Sequence, residues 1–173
     1  MIKMKQNVLV ISATLKSNYR LAKKIKNIVD KKKVTTTIIS LEDFLLPIYT
    51  DKVFELEKNK YKKTIELLTN HFINNKGIII CGPEYNGSLH PIINNAIAWI
   101  STSTDYWRDA FKDKIVLVGT SSGGNGDKFA RVMKVQLEHL GCLVMPRYIS
   151  SNASNPLNIE STSKILDKFI NLI

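Results

Sequence analysis

Residues 82–91 carry the side chains whose types and spacing say most about chemistry. They read Gly-Pro-Glu-Tyr-Asn-Gly-Ser-Leu-His-Pro and directly follow a short apolar run. Pro83 and Gly87 favour a tight turn of the backbone. Backbone N–H groups over 84–86 could then donate to a bound ligand, with the aromatic side chain of Tyr85 beside it. A plain turn would explain the proline and the Asn-Gly pair, but not the whole string.

A second polar stretch, residues 12–18, leads from an apolar run into a helical pattern. Its donors are short side chains and one cation: Ser12, Thr14, Lys16, Ser17 and Asn18. A helix N-terminus offers unpaired N–H groups and a partial positive charge, so this stretch suits a phosphate monoester. It matches neither GxGxxG nor GxxxxGK[ST], which excludes the dinucleotide fingerprint and the P-loop. An ordinary Ser or Asn helix cap is the alternative.

A third polar stretch, residues 120–126, reads Thr-Ser-Ser-Gly-Gly-Asn-Gly after another apolar run. Gly123 and Gly124 would let a ligand come close to the backbone. Clustered backbone N–H groups, beginning near Ser121 and Ser122, stabilise negative charge on such a ligand. A flexible glycine-rich connector is the alternative.

An alternating pattern of strands and helices must position these stretches. Strands are predicted at 7–11, 34–41, 77–81 and 115–119, with a last one beginning at 143, and helices at 18–31, 56–72, 91–100, 128–140 and 162–173. Such alternation predicts an α/β fold whose parallel sheet has helices on both faces. Ligands of these sheets bind beyond the carboxyl ends of the strands. We expect a single domain over residues 1–173, with the three polar stretches at one edge.

Composition restricts the partners. The net charge is +10, but 21 of the 25 basic residues are Lys. Because Arg is the residue that reads guanine edges, we interpret the charge as a solvated surface that attracts anionic nucleotides, and we expect no nucleic-acid partner. No apolar run approaches the length of a membrane helix and no secretory signal is evident, so a cytoplasmic protein without membrane contact is expected. Cys81 and Cys142 are predicted core thiols, a redox pair being the alternative.

The segment Pro-Glu-Tyr-Asn-Gly-Ser at 83–88, followed by Asn-Ala-Ile-Ala-Trp at 95–99, resembles the NADPH-dependent FMN reductase family. Members carry the same hexapeptide, then an Asn-Ala pair and a Trp on a short helix, and a comparable Ser-x-Gly-Gly loop. The resemblance covers nearly the whole chain. It implies a flavodoxin-like three-layer sandwich with a five-stranded parallel sheet of order 2-1-3-4-5. It also implies FMN as cofactor and NADPH or NADH as co-substrate.

The activity implied by the resemblance is hydride transfer from the nicotinamide to bound flavin, followed by reduction of a small acceptor. Free flavin, quinones, azo dyes and metal oxyanions all fit an open flavin face. The flavin carries the chemistry, so we expect no catalytic side chain and no metal. The cofactor-binding residues implied are Ser12, Thr14, Lys16, Ser17, Asn18, Pro83, Glu84, Tyr85, Asn86, Gly87, Ser121, Ser122, Gly123 and Gly124.

The resemblance further implies a homodimer or homotetramer with the flavin near a subunit interface. The residues around Trp99, Tyr106 and Trp107 are candidates for that interface, and a core role is the alternative. Two other functions stay open: a flavodoxin-like electron carrier, which the basic composition disfavours, and a non-catalytic module that has lost FMN.

The first polar stretch departs from the family's pattern. The usual Gly is absent, and Lys16 stands near the position of an Arg. A lysine is a point charge and cannot reproduce a bidentate Arg contact. The sequence therefore predicts that FMN is held loosely and is partly lost on purification.

Overall fold

The computed structural model describes residues 7–173, so the predicted domain over 1–173 includes six residues outside this range. Within it lie six strands and five α-helices. The strands are β1 Asn7–Ser12, β2 Thr35–Ser40, β3 Gly77–Cys81, β4 Ile115–Ser121, β5 Leu143–Val144 and β6 Ile149–Ser151. The helices are α1 Ser17–Asp30, α2 Asp51–Ile73, α3 Pro91–Ser101, α4 Asp127–His139 and α5 Ile159–Ile170. A short 3₁₀ turn, Leu41–Asp43, follows β2.

The strands form one parallel sheet in the order β2-β1-β3-β4-β5, which confirms the predicted topology. The predicted last strand is divided in two. Both β5 and β6 pair with β4, through Leu143 opposite Ile115 and Ile149 opposite Gly119. Pro146 lies between the two pieces. Since proline has no N–H to donate to a ladder, it interrupts the strand there.

Helices cover both faces of the sheet, as predicted. Side chains alternate along each strand, so Leu9 packs in the cluster beneath α2, α3 and α4, while Val8 packs in the cluster beneath α1 and α5. All five residues of β3 are buried. Burial on both faces explains why the strands read as continuous apolar runs rather than as alternating ones.

The register brings the ends of the strands level with one another. Ser12 at the end of β1 lies opposite both Ser40 and Cys81, and Cys81 lies opposite Gly119. The peptide N–H of Ala13 extends the pairing by donating to Cys81, over 2.8 Å. The three polar stretches of the sequence therefore leave the sheet at the same edge, which confirms the expectation drawn from alternation.

The Asn and the Trp of α3 hold the loop that precedes α2. The Trp99 indole N–H donates to the Pro47 carbonyl over 2.8 Å, and the ring is fully buried. The Asn95 amide donates to the same carbonyl over 3.0 Å and accepts from the Tyr49 peptide N–H over 2.7 Å. The core role considered for Trp99 is confirmed. Among the other interface candidates, Trp107 keeps 37% of its surface exposed.

The two cysteines are buried thiols, as predicted. Cys81 is completely buried and Cys142 nearly so, and burial raises the pKa of each thiol to about 12. Neither is therefore a thiolate at neutral pH, the form that reacts. Across residues 7–173, no group of three or more His, Cys, Asp or Glu side chains could hold a metal ion. No helix in this range is long and apolar enough to cross a membrane.

Candidate functional site

A cavity of about 530 Å³ opens where the strands end, a volume usual for small-molecule sites. Its lining combines the three polar stretches with part of α1, the last residue of β6 and the segment after it. From the three stretches come Ser17, Pro83, Glu84, Ser121, Ser122 and Gly123; from α1 come Arg20, Leu21 and Lys24; and Ser151, Asn152 and Ala153 complete it. The predicted residues outside the lining are Ser12, Thr14, Lys16, Asn18, Tyr85, Asn86, Gly87 and Gly124.

The loop after β3 closes in a two-residue turn. Tyr85 and Ser88 exchange both backbone hydrogen bonds, each of 3.0 Å. Between them Asn86 and Gly87 have φ angles of 50° and 72°. Positive φ at both central positions defines a type I′ turn, for which Asn-Gly is the preferred pair. The half-exposed Tyr85 ring packs edge-on against His90, with centroids 5.2 Å apart. The plain turn that the sequence offered as an alternative is thus present at 85–88, within the longer segment 82–91.

The loops after β3 and β4 are hydrogen-bonded to each other. The Glu84 peptide N–H donates to the Ser122 hydroxyl over 2.7 Å, and that hydroxyl lies 2.9 Å from the Thr120 hydroxyl. The Glu84 carboxylate accepts from the Lys128 peptide N–H in the first turn of α4, over 3.1 Å. Of the three N–H groups expected to face a ligand, those of Glu84 and Tyr85 already have protein partners. Of these three, the Asn86 N–H alone has no partner among the described residues.

Asn18 joins α1 to the last residue of β4. Its side chain is almost fully buried. The amide donates to the Ser121 carbonyl over 2.9 Å and accepts from the Ser121 peptide N–H over 2.8 Å. Ser12 is also buried, and its hydroxyl donates to the Thr14 carbonyl over 2.7 Å. These two side chains shape the loops around the cavity.

Replacing Asn18 by alanine should lower the free energy of unfolding by about 2–4 kcal/mol, because both the N–H and the carbonyl of Ser121 lose their partner. Urea denaturation followed by circular dichroism measures this change. Asn27→Ala is the matched control, since Asn27 is exposed on the same helix and should change stability by less than about 0.5 kcal/mol. Equal stability of the two variants would contradict the role given to Asn18.

No side chain caps the N-terminus of α1. Lys16 occupies the N-cap position without a capping hydrogen bond, and the first turn holds no acidic residue. By contrast, Thr50 and Asn158 cap α2 and α5 through their side chains. The alternative of an ordinary Ser or Asn cap is therefore wrong for α1. Its free N–H groups and partial positive charge remain available to an anion.

The loop after β4 offers a row of free donors. Within the described range, the peptide N–H groups of Ser122, Gly123 and Gly124 have no protein partner. A Cβ atom built on either glycine would meet nothing within 4 Å. Both glycines thus leave open space beside exposed N–H groups, as close approach of a ligand to the backbone requires.

The sequence did not predict two parts of the cavity lining. Arg20 and Lys24 lie one helical turn apart, both exposed, and neither forms an ion pair with a described residue. Their i,i+4 spacing directly after a polar loop could have indicated an anion site. Like charges at this spacing repel each other, and a bound anion would relieve the repulsion. The end of β6 and the segment after it were missed because the sequence predicted where the last strand begins, at 143, but not where it ends. Asn152 in this segment donates to the Gly124 carbonyl over 3.1 Å.

The donor set and the space suit FMN. The cavity is lined by two cations and by several hydroxyl and amide groups. Its one carboxylate, from Glu84, is engaged by the N-terminus of α4. A phosphate group matches the cations and the uncapped helix, and a polar ring edge matches the free N–H row. The residues present therefore fit the cofactor that the sequence resemblance implies.

Comparisons with known proteins agree with the fold. The chain is 28% identical over 127 residues to the quinone reductase of Escherichia coli strain K12, covering 71% of this chain and 64% of that protein. It spans less than two thirds of the length of the curated relatives that it matches. FerB, a flavoenzyme NAD(P)H:(acceptor) oxidoreductase from Paracoccus denitrificans, superposes with a TM-score of 0.71 at 23% identity, over 96% of this chain and 93% of FerB.

A flavodoxin from the domain Archaea superposes with a TM-score of 0.65 at 12% identity, over 96% of each chain. At these identities the structural matches demonstrate the flavodoxin-like fold alone. The sequence profile of NADPH-dependent FMN reductases matches residues 6–155, which is most of the chain. The chain therefore belongs to the NADPH-dependent FMN reductase family.

Proposed function

We propose that this chain is an FMN-dependent NAD(P)H oxidoreductase that reduces a small acceptor. The observation that supports this most is that three polar stretches, distant in sequence, line one cavity together with two cations that have no acidic partner among the described residues. Family membership supports the same activity. When bound, FMN would supply hydride chemistry, which no side chain of the cavity provides.

The phosphate end of the proposed site is at the start of α1. The free N–H groups of Ser17 and Asn18 point to an anion there, since helix N-termini stabilise negative charge. The Lys16 ammonium forms no hydrogen bond or ion pair within residues 7–173, so it is available to the same anion. As a single point charge it would hold a phosphate less firmly than an Arg fork.

The ring end of the proposed site lies between the loops after β3 and β4. Pro83 and Gly123 would border the ring, and the free N–H groups from Ser122 to Gly124 would stabilise negative charge on its polar edge. Asn18 and the Ser122 hydroxyl act on this end indirectly, because they fix the positions of the two loops. The other predicted residues outside the lining, namely Ser12, Thr14, Tyr85, Asn86 and Gly87, are proposed to support these loops.

The co-substrate is an anionic nucleotide, and the charge of the chain favours its approach. Arg20 and Lys24 make the α1 wall of the cavity positive, and the whole chain carries a net charge of +10. Such a field raises the rate at which anions associate. We propose that NADPH or NADH enters from this side. A homodimer or homotetramer is also proposed, on family resemblance.

The experiment is a reductase assay on the purified full chain with added FMN. Loss of nicotinamide absorbance is followed with NADPH and with NADH, using a quinone as acceptor because a relative is a quinone reductase. We expect steady oxidation that requires the chain, FMN and the quinone. Oxidation no faster than with free FMN alone would contradict the proposal. Tight flavin binding without turnover would instead indicate an electron carrier.

A further inference from the structure

A carboxylate contacts the loop proposed to receive the phosphate. Glu42, in the 3₁₀ turn after β2, accepts a hydrogen bond from the Leu15 peptide N–H, with 2.5 Å between Oε2 and N. Leu15 immediately precedes Lys16, the N-cap residue of α1. No other carboxylate among residues 7–173 hydrogen-bonds to residues 12–18, so Glu42 is the one carboxylate that the described structure attaches to this loop.

Strand register fixes the position of Glu42. Ser12 and Ser40 pair at the ends of β1 and β2, so the turn after β2 lies beside the loop after β1. The Ser40 hydroxyl accepts from the Glu42 peptide N–H over 3.3 Å, and Leu41 is buried in the core. The backbone of the turn is thus anchored at Glu42 and at the two residues before it. The carboxylate itself forms no ion pair with any Lys or Arg of the described residues.

We propose that Glu42 is an internal anion that competes with the cofactor phosphate at the first loop and thereby sets FMN affinity. This inference rests on the proposed function. The Leu15 N–H is the kind of donor that a phosphate would use at this loop, and the carboxylate already occupies it. Leu15 and Glu42 line a separate cavity of about 420 Å³, but Leu15 lies only two residues before Ser17, whose N–H is proposed for the phosphate. A phosphate bound at Ser17 would therefore be repelled by the charge of Glu42. Loose FMN binding would then have two causes, namely Lys16 in place of the family's Arg and the carboxylate of Glu42.

The test compares two flavins that differ only in the phosphate. The full chain, stripped of flavin, is titrated with FMN and with riboflavin, and quenching of flavin fluorescence gives each dissociation constant. Glu42→Gln keeps the length and the acceptor of the side chain but removes its charge. We expect FMN to bind about tenfold more tightly to this variant, the effect of one nearby like charge at a protein surface. Riboflavin should bind within about twofold of the wild type, because it carries no phosphate.

Asp43→Asn is the matched control. Asp43 is exposed on the same 3₁₀ turn and makes no hydrogen bond to the first loop, so the same change of charge should alter FMN affinity by less than about twofold. Circular dichroism checks that each variant folds. Glu42→Ala, which removes both charge and acceptor, should likewise tighten FMN and serves if the Gln variant does not fold.

The outcomes separate this inference from the proposed function. Unchanged or weaker FMN binding by folded Glu42 variants overturns the inference, and so does equal tightening of FMN and riboflavin, which would indicate a purely structural role. A wild-type chain that binds neither flavin contradicts the proposed function itself, and the role of Glu42 is then rejected with it.

Discussion

Replacing Gly123 by valine is expected to weaken FMN binding by about tenfold to a hundredfold while the chain remains folded. Gly123 lines the cavity, and its φ angle is not in the left-handed region. A Cβ atom there would meet nothing within 4 Å, so the free protein accommodates the new side chain. The bound ligand would instead overlap with it, and overpacking of this kind costs about 1–3 kcal/mol.

Fluorescence titration with FMN measures this effect, and thermal unfolding followed by circular dichroism confirms that the variant is folded. Ser154→Val serves as the control. It adds the same side chain at an exposed position next to Ala153, just outside the lining, and should bind FMN like the wild type. A folded Gly123→Val chain with wild-type affinity would remove the proposed placement of the flavin ring.

Gly126→Ala should destabilise the fold by about 3 kcal/mol. Gly126 precedes α4 with φ of 71°, a left-handed conformation that a side chain disfavours. Its Cβ atom would also lie 2.5 Å from Cγ2 and 2.7 Å from Oγ1 of Thr120. Thr120 is completely buried and its hydroxyl contacts that of Ser122, so it cannot move without disturbing the loop pair.

Urea denaturation gives the change in the free energy of unfolding. Gly124→Ala is the matched control for stability, because its φ angle is not positive and its Cβ atom would meet nothing within 4 Å. That variant should stay within about 0.5 kcal/mol of the wild type. A loss of less than about 1 kcal/mol for Gly126→Ala would show that the helix start can rearrange at little cost.

The architecture was predictable because the buried strands and amphipathic helices have clear periodicities. The strand at 77–81 agrees with β3 residue for residue. The errors have local causes. Helix α2 begins at Asp51 rather than at 56, because the Thr50 hydroxyl caps it by accepting from the Val53 peptide N–H. The apolar pattern alone does not reveal that cap. Division of the last strand at Pro146 was readable from the sequence but was not predicted.

The site was predictable as three loops at one edge, but not residue by residue. Polar side chains such as Ser12 and Asn18 were assigned to a ligand, whereas the structure directs both into the protein. The partner of Asn18 is Ser121, 103 residues away, and local spacing holds no information about such a contact. Arg20 lies in a helix whose exposed face is rich in cations, so only the folded chain distinguishes it as cavity-lining.

Equilibrium titration of the flavin-free full chain with FMN tests most directly whether these loops form a flavin site. We predict saturable quenching of flavin fluorescence with one FMN per chain and a dissociation constant of about micromolar order, so that dialysis removes part of the flavin. Absence of saturable binding at about millimolar FMN would contradict the account.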